Sequence, residues 1–393
     1  MPRPAPHSDP TLQAWRPSGV WPRSVYLHIP FCRHRCGYCN FTLVAGRDYL
    51  VDRFLDALET EISWLDQRYE LDSLFLGGGT PSHLSPSNLQ RLNKIVSSRF
   101  DLTSATEVTA ECNPNDMTSD QCNALAEFGV NRISLGVQSL NPAKLSRLER
   151  DHDGDDVASA FRLARLFARS ISVDLIFAAP GESLNEWRQD LEAVLQLNPD
   201  HVSTYELTYE KGTQFWNRRV VGDLLESEED LRADMYEFAT QRLDGAGLAP
   251  YEVSSFAKPD HRCFHNESYW TGRPYFAFGP GASRYVDRVR QTNHQSTLQY
   301  LKRLEAGKSP VSLSEKLAPR DSANELLAIG LRRVAGVNED AFETLTEFRV
   351  SALLANHAEA WQLAGLLIQE GPNWRLSFRG RMLCDRLAAE IVG

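Results

Sequence analysis

The sequence predicts an α/β fold: an incomplete (β/α)6 barrel of the TIM type, followed by a small, mostly helical C-terminal domain. Apolar, β-branched runs recur along the first half of the chain and alternate with segments of helical spacing. Six such units follow one another without a sign that the strand order reverses, which favours an incomplete barrel over an open sheet. After about residue 245 the alternation ends and short segments rich in Gly, Pro and aromatic residues begin.

The six predicted strands are apolar and rich in β-branched residues, as is typical of strands buried in a parallel sheet. They are residues 24–29, 73–77, 107–111, 132–137, 173–178 and 201–207. The clearest helix between them has apolar residues on one face, namely Val51, Phe54, Leu58, Ile62 and Leu65. Catalytic residues of a barrel lie at the carboxyl ends of its strands, so the motifs that follow these strands are candidate site residues.

We divide the chain into four parts. They are a Pro-rich N-terminal tail at 1–22, the partial barrel at 23–245, a capping extension of strands and loops at 246–296, and a helical, winged-helix-like domain at 297–393. The last part combines two helical segments, a hairpin and a final helix. We expect the extension to cover the open side of the barrel.

Charge and composition exclude several classes of function. The formal net charge is −10 and the pI is near 5.6, whereas nucleic-acid binding needs basic surfaces, so we expect no nucleic-acid partner. Neither a signal-peptide apolar segment nor a run of 18 apolar residues is present, and we expect a cytoplasmic protein. Disulfides do not persist in that compartment, so clustered cysteines there indicate metal binding or catalysis.

Three of the seven cysteines lie together in CRHRCGYC, as Cys32, Cys36 and Cys39. Soft thiolates favour zinc or an iron–sulfur cluster. Structural zinc needs a fourth ligand, for which His34 is the near candidate. An iron–sulfur cube on three cysteines instead leaves one iron open for a cofactor that brings its own donor atoms. The four scattered cysteines are expected in the core.

The stretch YLHIPFCRHRCGYCNF resembles the radical SAM superfamily, and within it the branch of oxygen-independent coproporphyrinogen III oxidases and HemW-type haem chaperones. The resemblance runs from about residue 23 almost to the end of the chain. It implies a barrel of the radical SAM type and a [4Fe–4S] cluster on Cys32, Cys36 and Cys39. The fourth iron of that cluster would bind S-adenosylmethionine (SAM), which is cleaved to a 5′-deoxyadenosyl radical.

The resemblance also implies a set of SAM contacts around the cysteine loop. They are Tyr26, Tyr38, Gly78, Gly79, Thr80, Glu111, Gln138, Arg150 and Asp174. Taken one at a time, each has a plainer interpretation: the glycines as a tight turn, the tyrosines as core, Glu111 as a helix cap and the other polar residues as loop anchors. Their common order along the chain favours the cofactor.

Two features point to the chaperone side of this branch. The oxidases carry a fourth cysteine two residues after the third, where this chain has Phe41, and they have a longer segment before the first cysteine. The resemblance therefore implies a protein that binds haem or porphyrin as cargo and delivers it to haem-accepting proteins, touching membranes only weakly and through such clients. In HNESYW, His265 is the candidate haem ligand; otherwise it is a hydrogen-bonded loop histidine.

The alternative is an enzyme that decarboxylates coproporphyrinogen III to protoporphyrinogen IX. Arginine forks suit propionate groups, and the candidates are Arg273, Arg284, Arg288 and Arg290, although solvent-exposed arginines are commoner.

The chain departs from the family pattern at a few positions outside the cysteines. Ala178 and Ala179 stand where relatives have Gly-Leu, Glu149 stands where Gly is usual, and Ser283 replaces a histidine. These departures bear on ligand contacts and not on the cluster.

Overall fold

The computed structural model describes residues 22–393, so the predicted tail, apart from Pro22, lies outside the described residues. Its first ten strands are β1 (Ser24–Ile29), β2 (Phe31–Cys32), β3 (Val44–Ala45), β4 (Tyr69–Glu70), β5 (Ser73–Gly78), β6 (Phe100–Asp101), β7 (Glu107–Cys112), β8 (Arg132–Gln138), β9 (Ser170–Phe177) and β10 (His201–Glu206). The remaining strands are β11 (Ala249–Pro250), β12 (Ser255–Ala257), β13 (Tyr275–Phe278), β14 (Ser283–Val286), β15 (Val289–Asn293), β16 (Val311–Lys316), β17 (Val337–Asn338), β18 (Leu367–Glu370) and β19 (Asn373–Leu376).

The helices of the barrel are α1 (Val51–Ser63), α2 (Pro86–Ser97), α3 (Ser119–Phe128), α4 (Pro142–Arg147), α5 (Gly154–Ala164), α6 (Leu184–Gln196), α7 (Gln214–Val220) and α8 (Glu229–Asp244). Those that follow are α9 (Phe264–Trp270), α10 (Thr297–Glu305), α11 (Pro319–Gly330), α12 (Glu339–Thr346), α13 (Val350–Leu353), α14 (Ala358–Leu363), α15 (Phe378–Met382) and α16 (Cys384–Val392).

Six parallel strands form the centre of the structure in the order β1-β5-β7-β8-β9-β10, which is their order along the chain. They coincide with the six predicted strands to within a few residues. One cavity is lined by side chains from every one of them, so the sheet curves around a common interior. The predicted incomplete (β/α)6 barrel is confirmed.

Local sequence explains where the barrel helices begin. At α2, the Ser85 side chain accepts a hydrogen bond from the backbone of Asn88, and Pro86 occupies the first helical position. Helix α6 begins with a capping box between Ser183 and Glu186. The apolar face of α1 is buried against the sheet, as its helical spacing predicts.

The segment predicted as a capping extension lengthens the sheet at both edges. Strands β12 and β11 add to β10, while β13 pairs in parallel with β1 and leads outward to β14, β15 and β16. The sheet therefore has twelve strands and stays open. Helix α9 lies between the two additions and packs on β5, with Cys263, His265 and Tyr269 lining the barrel interior.

The C-terminal part has its own apolar core, which begins at Ala323 and ends at Ile391. It combines helices with a three-stranded sheet ordered β17-β19-β18. This differs from the predicted boundary at 297, because Tyr300, Leu301 and Leu304 of α10 pack into the barrel core and β16 belongs to the main sheet. Within residues 22–393, no helix has the length and apolar character needed to cross a membrane.

Candidate functional site

The three cysteines face a cavity of about 340 Å³ at the carboxyl ends of the barrel strands. Its wall also contains eight of the nine residues predicted to contact SAM; these are Tyr38, Gly78, Gly79, Thr80, Glu111, Gln138, Arg150 and Asp174. The ninth, Tyr26, lines an adjoining cavity of about 220 Å³ in the barrel interior, which also has Glu111 and Asp174 in its wall. The structure thus gathers the predicted residues of six separate segments into one region.

The cysteine loop is held from both sides. Arg35 donates hydrogen bonds to the carbonyls of Cys39 at 3.1 Å, Phe41 at 3.3 Å and Leu43 at 2.9 Å. On the other side, the amide of Phe215 donates to the carbonyl of Gly37 at 2.9 Å. These contacts curve the loop between Cys36 and Leu43. The sequence analysis did not identify Arg35 as a site residue. The available signal is an arginine within an irregular loop, because the carbonyls of such a loop need hydrogen-bond donors.

Arg150 links the cysteine loop to the neighbouring strand ends. Its Nη2 donates to the Oδ1 of Asn113 at 2.7 Å and to the carbonyl of Gly136 at 2.8 Å, and its Nη1 lies 3.7 Å from the Sγ of Cys36. Burial lowers the pKa of Arg150, but Tyr38 and Cys36 raise it more, so the pKa lies above its usual value. Its buried Nε has no partner among the described residues, which leaves a donor for a ligand.

The glycines at the end of β5 are required by close packing. Gly78 has a φ of +110°, and a Cβ there would lie 2.5 Å from the His28 ring. A Cβ on Gly79 would meet the carbonyl of Phe31 at 2.7 Å. The loop thus runs against the backbone that leads to Cys32, and Thr80 Oγ1 lies 3.2 Å from Cys32 Sγ. The glycine motif brings the β5 loop against the cysteine loop.

Two partly buried carboxyl groups line the wall of the cysteine cavity. Glu111 accepts a hydrogen bond from the amide of Gly78 at 2.9 Å, and Asp174 accepts one from the Ser134 hydroxyl at 2.8 Å. Burial raises the pKa of Glu111 to about 7, against the lowering effect of the Gly78 amide. Burial also raises the pKa of Asp174. Both groups gain from a ligand that donates hydrogen bonds or carries positive charge.

The donor set fits an iron–sulfur cluster. Cys32 and Cys36 are buried and Cys39 is partly exposed. Burial raises the pKa of Cys32 to about 11 and also raises the pKa of Cys39, so a metal partner favours the thiolate form of both. Within residues 22–393, no three His, Cys, Asp or Glu side chains are gathered closely enough to hold a single ion. All three cysteines line the wall of one cavity, so their thiols share a space in which a cluster with a separate iron for each thiolate could bind.

His34, the alternative zinc ligand, points its Nε2 at the carbonyl of Glu149, 2.8 Å away, and lies 3.5 Å from the Sγ of Cys36. It supports the cysteine loop through this bond.

Gln138 lies at a bulge at the end of β8 and has a φ of +66°, a strained conformation of the kind that concentrates at binding sites.

His265 lies apart from the cysteine cavity, near the amino ends of the strands. It is 1% exposed, and both ring nitrogens have partners: Nδ1 lies 2.9 Å from the Ser73 hydroxyl and Nε2 lies 2.7 Å from the Tyr269 hydroxyl. Burial lowers its pKa to about 3. The ring is therefore neutral, but iron ligation requires it to release one of these hydrogen bonds and become accessible, so its assignment as a haem ligand stays a prediction.

The four arginines proposed for propionates are not part of the cysteine cavity wall. Arg284 is buried and donates to Gln291 at 2.7 Å, Arg290 donates to Glu325 at 2.5 Å, and Arg273 lies over the Phe264 ring. Arg288 lines a small cavity beside the C-terminal domain. The structure does not bring these four residues together with the site.

Comparison with known proteins agrees with this geometry. The family model of the radical SAM superfamily matches residues 26–194, and that of the HemN C-terminal domain matches residues 317–383. Heme chaperone HemW of Lactococcus lactis is 37% identical over 327 residues, which are 82% of this chain and 84% of the relative. Heme chaperone HemW of Bacillus subtilis is 31% identical over 379 residues, 94% of this chain and 99% of the relative.

Among solved structures, coproporphyrinogen III oxidase (HemN) of Escherichia coli, described as a radical SAM enzyme, superposes with a TM-score of 0.84. It is 23% identical, and the match covers 97% of this chain and 92% of that one, which shows a shared fold.

The partial barrel and the three-cysteine loop at its carboxyl end define a radical SAM protein, a class that implies SAM and a [4Fe–4S] cluster. Two relatives narrow this class to one family, because they are 37% and 31% identical and cover 82% and 94% of this chain. The chain belongs to the HemW family of the radical SAM superfamily.

Proposed function

We propose that this protein is a haem chaperone that holds a [4Fe–4S] cluster and SAM in the cysteine cavity, carries haem as cargo and delivers it to haem proteins. Phe41 is the observation that carries the proposal. It lies in the cavity wall with 60% of its surface exposed, at the position where the oxidases of this branch have a fourth cysteine. A phenyl ring supplies neither a thiol nor a proton there.

Within the cavity, each residue has a role that its contacts support. Cys32, Cys36 and Cys39 would hold the cluster, and the free Nε of Arg150 would donate to the SAM carboxylate. Glu111 and Asp174 would accept hydrogen bonds from the SAM amine or ribose. When bound, the cluster and SAM supply an electron and 5′-deoxyadenosyl radical chemistry. The glycine loop lets SAM approach the backbone closely.

The cluster assignment predicts the behaviour of a Cys36→Ala variant. With one of three thiolates missing, we expect loss of most of the iron and sulfide that the wild-type protein retains after anaerobic reconstitution. Cys122→Ala is the matched control, since Cys122 is a buried cysteine of α3 outside the cavity. Full iron content in the Cys36 variant would refute the ligand set.

The function is tested on reconstituted protein under anaerobic conditions. We expect saturable haem binding in a Soret titration, and transfer of that haem to an apo-haem protein faster than from free haem in solution. In the same preparation, supplied with SAM, a low-potential reductant and coproporphyrinogen III, we expect no protoporphyrinogen. Formation of protoporphyrinogen coupled to 5′-deoxyadenosine would establish the oxidase alternative and show that the fourth cysteine is dispensable.

The oxidase remains the second candidate because the fold is shared with HemN over nearly the whole chain.

Haem ligation by His265 requires that one ring nitrogen gives up its hydrogen bond to Ser73 or Tyr269. His265→Ala would then remove the axial histidine and shift the Soret maximum of the bound haem.

A further inference from the structure

A second large cavity lies outside the barrel, in the cleft between α8, the end of β10 and the C-terminal domain. We call it the interdomain cleft. It measures about 500 Å³, which exceeds the cysteine cavity and is within the usual range for small-molecule sites. Its wall includes Arg232 and Tyr236 of α8, Arg332 after α11, and Arg381 and Met382 of α15.

The wall of the cleft contains four arginines and three acidic residues, so positive charge is in excess by one; the arginines are Arg232, Arg332, Arg381 and Arg386, and the acids are Glu206, Glu229 and Asp385. Arg381 lies over the Phe378 ring and forms no ion pair within residues 22–393. Arg332 donates to Asp385 at 2.8 Å, but that carboxylate is 92% exposed, and the buried Nε of Arg332 has no partner in the described part of the chain. Arg232 is bound to Glu206, and its Nε is likewise buried and unpartnered. Donors of this kind indicate an anionic ligand.

The rest of the wall combines apolar and aromatic side chains with the hydroxyl groups of Thr204, Thr208 and Ser254. Phe177, Ala233, Tyr236, Met382 and Leu383 line it. Tyr236 stacks on Phe378 with an interplanar angle of 21°, and its hydroxyl donates to the carbonyl of Val253, so the ring is fixed. A wall that combines apolar side chains with arginines suits a flat apolar molecule that carries carboxylates.

The cleft adjoins both the SAM site and the HNESYW helix. Tyr205, Glu206 and Thr208 belong to the walls of the cysteine cavity and of the cleft, which meet at the end of β10. Arg332 lies over the ring of Trp270, the last residue of α9, at 5.5 Å. A ligand in the cleft would therefore border the cluster region and the motif that contains His265.

We propose that the interdomain cleft is the cargo site, in which Arg332 and Arg381 bind the two propionates of haem while the apolar wall covers one face of the macrocycle. The inference rests on the proposed function and gives that function a location. His265 and the cleft are alternative positions for haem, and one set of titrations distinguishes them.

The test is haem titration of the reconstituted full-length protein and its Arg332→Gln/Arg381→Gln double variant. We expect the Kd for haem to rise about tenfold or more in the double variant. Haem dimethyl ester, which has no free carboxylates, should bind both proteins equally. The matched control is Arg188→Gln, because Arg188 also lies over an aromatic ring, that of Phe238, but outside the cleft, and this variant should bind haem normally.

A variant that fills the cleft tests the location without removing charge. Ala233→Phe places a ring in the cavity and should weaken binding of haem and of its ester alike, with cluster content and SAM binding retained. Unchanged haem affinity in both cleft variants, with wild-type protein that binds haem, overturns the inference and leaves the chaperone proposal standing. Loss of haem binding in His265→Ala alone places the cargo in the barrel instead. No haem binding by the wild-type protein refutes the chaperone proposal itself.

Discussion

Ala178 and Glu149 have backbone conformations that favour glycine. Ala178 has a φ of +61° and Glu149 a φ of +56°, and these are positions where the family pattern has glycine. A Cβ in the left-handed region costs about 1–2 kcal/mol. Ala178 directly follows β9, and the Glu149 carbonyl pairs with His34 of the cysteine loop. The chain thus retains the family's backbone at these positions despite the substitutions.

This strain predicts that Ala178→Gly stabilises the protein. The unfolding free energy should rise by about 1 kcal/mol in urea denaturation, because relief of the left-handed Cβ outweighs the added chain entropy of glycine. Ala179→Gly, one residue on and with a negative φ, should destabilise by about 0.5–1 kcal/mol. Equal losses in both variants would show that Ala178 is not strained.

The raised pKa of Glu111 predicts that SAM binding depends on pH. Burial raises its pKa to about 7, so the carboxylate that accepts hydrogen bonds from SAM forms mainly above that pH. SAM affinity measured by equilibrium dialysis should therefore increase from pH 6 to pH 8. In Glu111→Gln, affinity should be lower and independent of pH across this interval. A persistent pH dependence in the variant would assign the titration to another group.

Among the elements, α4 and α6 are joined by a buried charge cluster. Lys144 is fully buried and bonds to Glu182 at 2.5 Å and to Asp190 at 3.0 Å. Its Nζ also lies 4.9 Å from the Trp187 ring centroid. The loop after α4 leads to Arg150, so this cluster fixes the position from which Arg150 reaches the cysteines.

Replacement of Lys144 by Met should destabilise the protein by about 3–5 kcal/mol, because two buried carboxylates lose their counter-charge. Arg147→Met on the same helix removes a partly exposed ion pair with Glu186 and should cost less than about 1 kcal/mol. Thermal unfolding of the two variants measures the difference. Similar melting temperatures would show that the buried Lys144 ion pairs contribute no more to stability than the partly exposed Arg147 pair.

The strands and the cysteine loop were predictable because their signals are local. Periodicity located the six barrel strands, and the cysteine spacing located the cluster loop. The assignment of α10 to the barrel was not predictable, since the apolar spacing of Tyr300, Leu301 and Leu304 indicates a helix without indicating which core buries it. The hydrogen bond between His265 and Ser73 was not predictable either, because the two residues are far apart in the sequence.

For the whole molecule, buried neutral histidines predict acid sensitivity. Burial lowers the pKa of His265 to about 3 and that of His201 well below its usual value. Because these folded-state values lie below the unfolded value of about 6.5, their stabilising contribution is present above pH 6.5 and is lost as the pH falls. Each histidine contributes a slope of about 1.4 kcal/mol per pH unit below that point.

Urea unfolding between pH 7 and pH 5 measures this slope. The unfolding free energy should fall with pH in the wild-type protein and fall less steeply in His265→Gln. Parallel slopes for the two proteins would show that His265 does not take up a proton on unfolding.

Tyr205, near the end of β10, belongs to the walls of three cavities: the cysteine cavity, the barrel interior and the interdomain cleft. A change in the rotamer of Tyr205 therefore changes the shape of at least one of these three cavities. A ligand in one space that fixes the Tyr205 rotamer would change the affinity for a ligand in the next, and the factor would be reciprocal. If SAM and haem occupy the cysteine cavity and the cleft as proposed, the affinity for haem would then depend on whether SAM is bound.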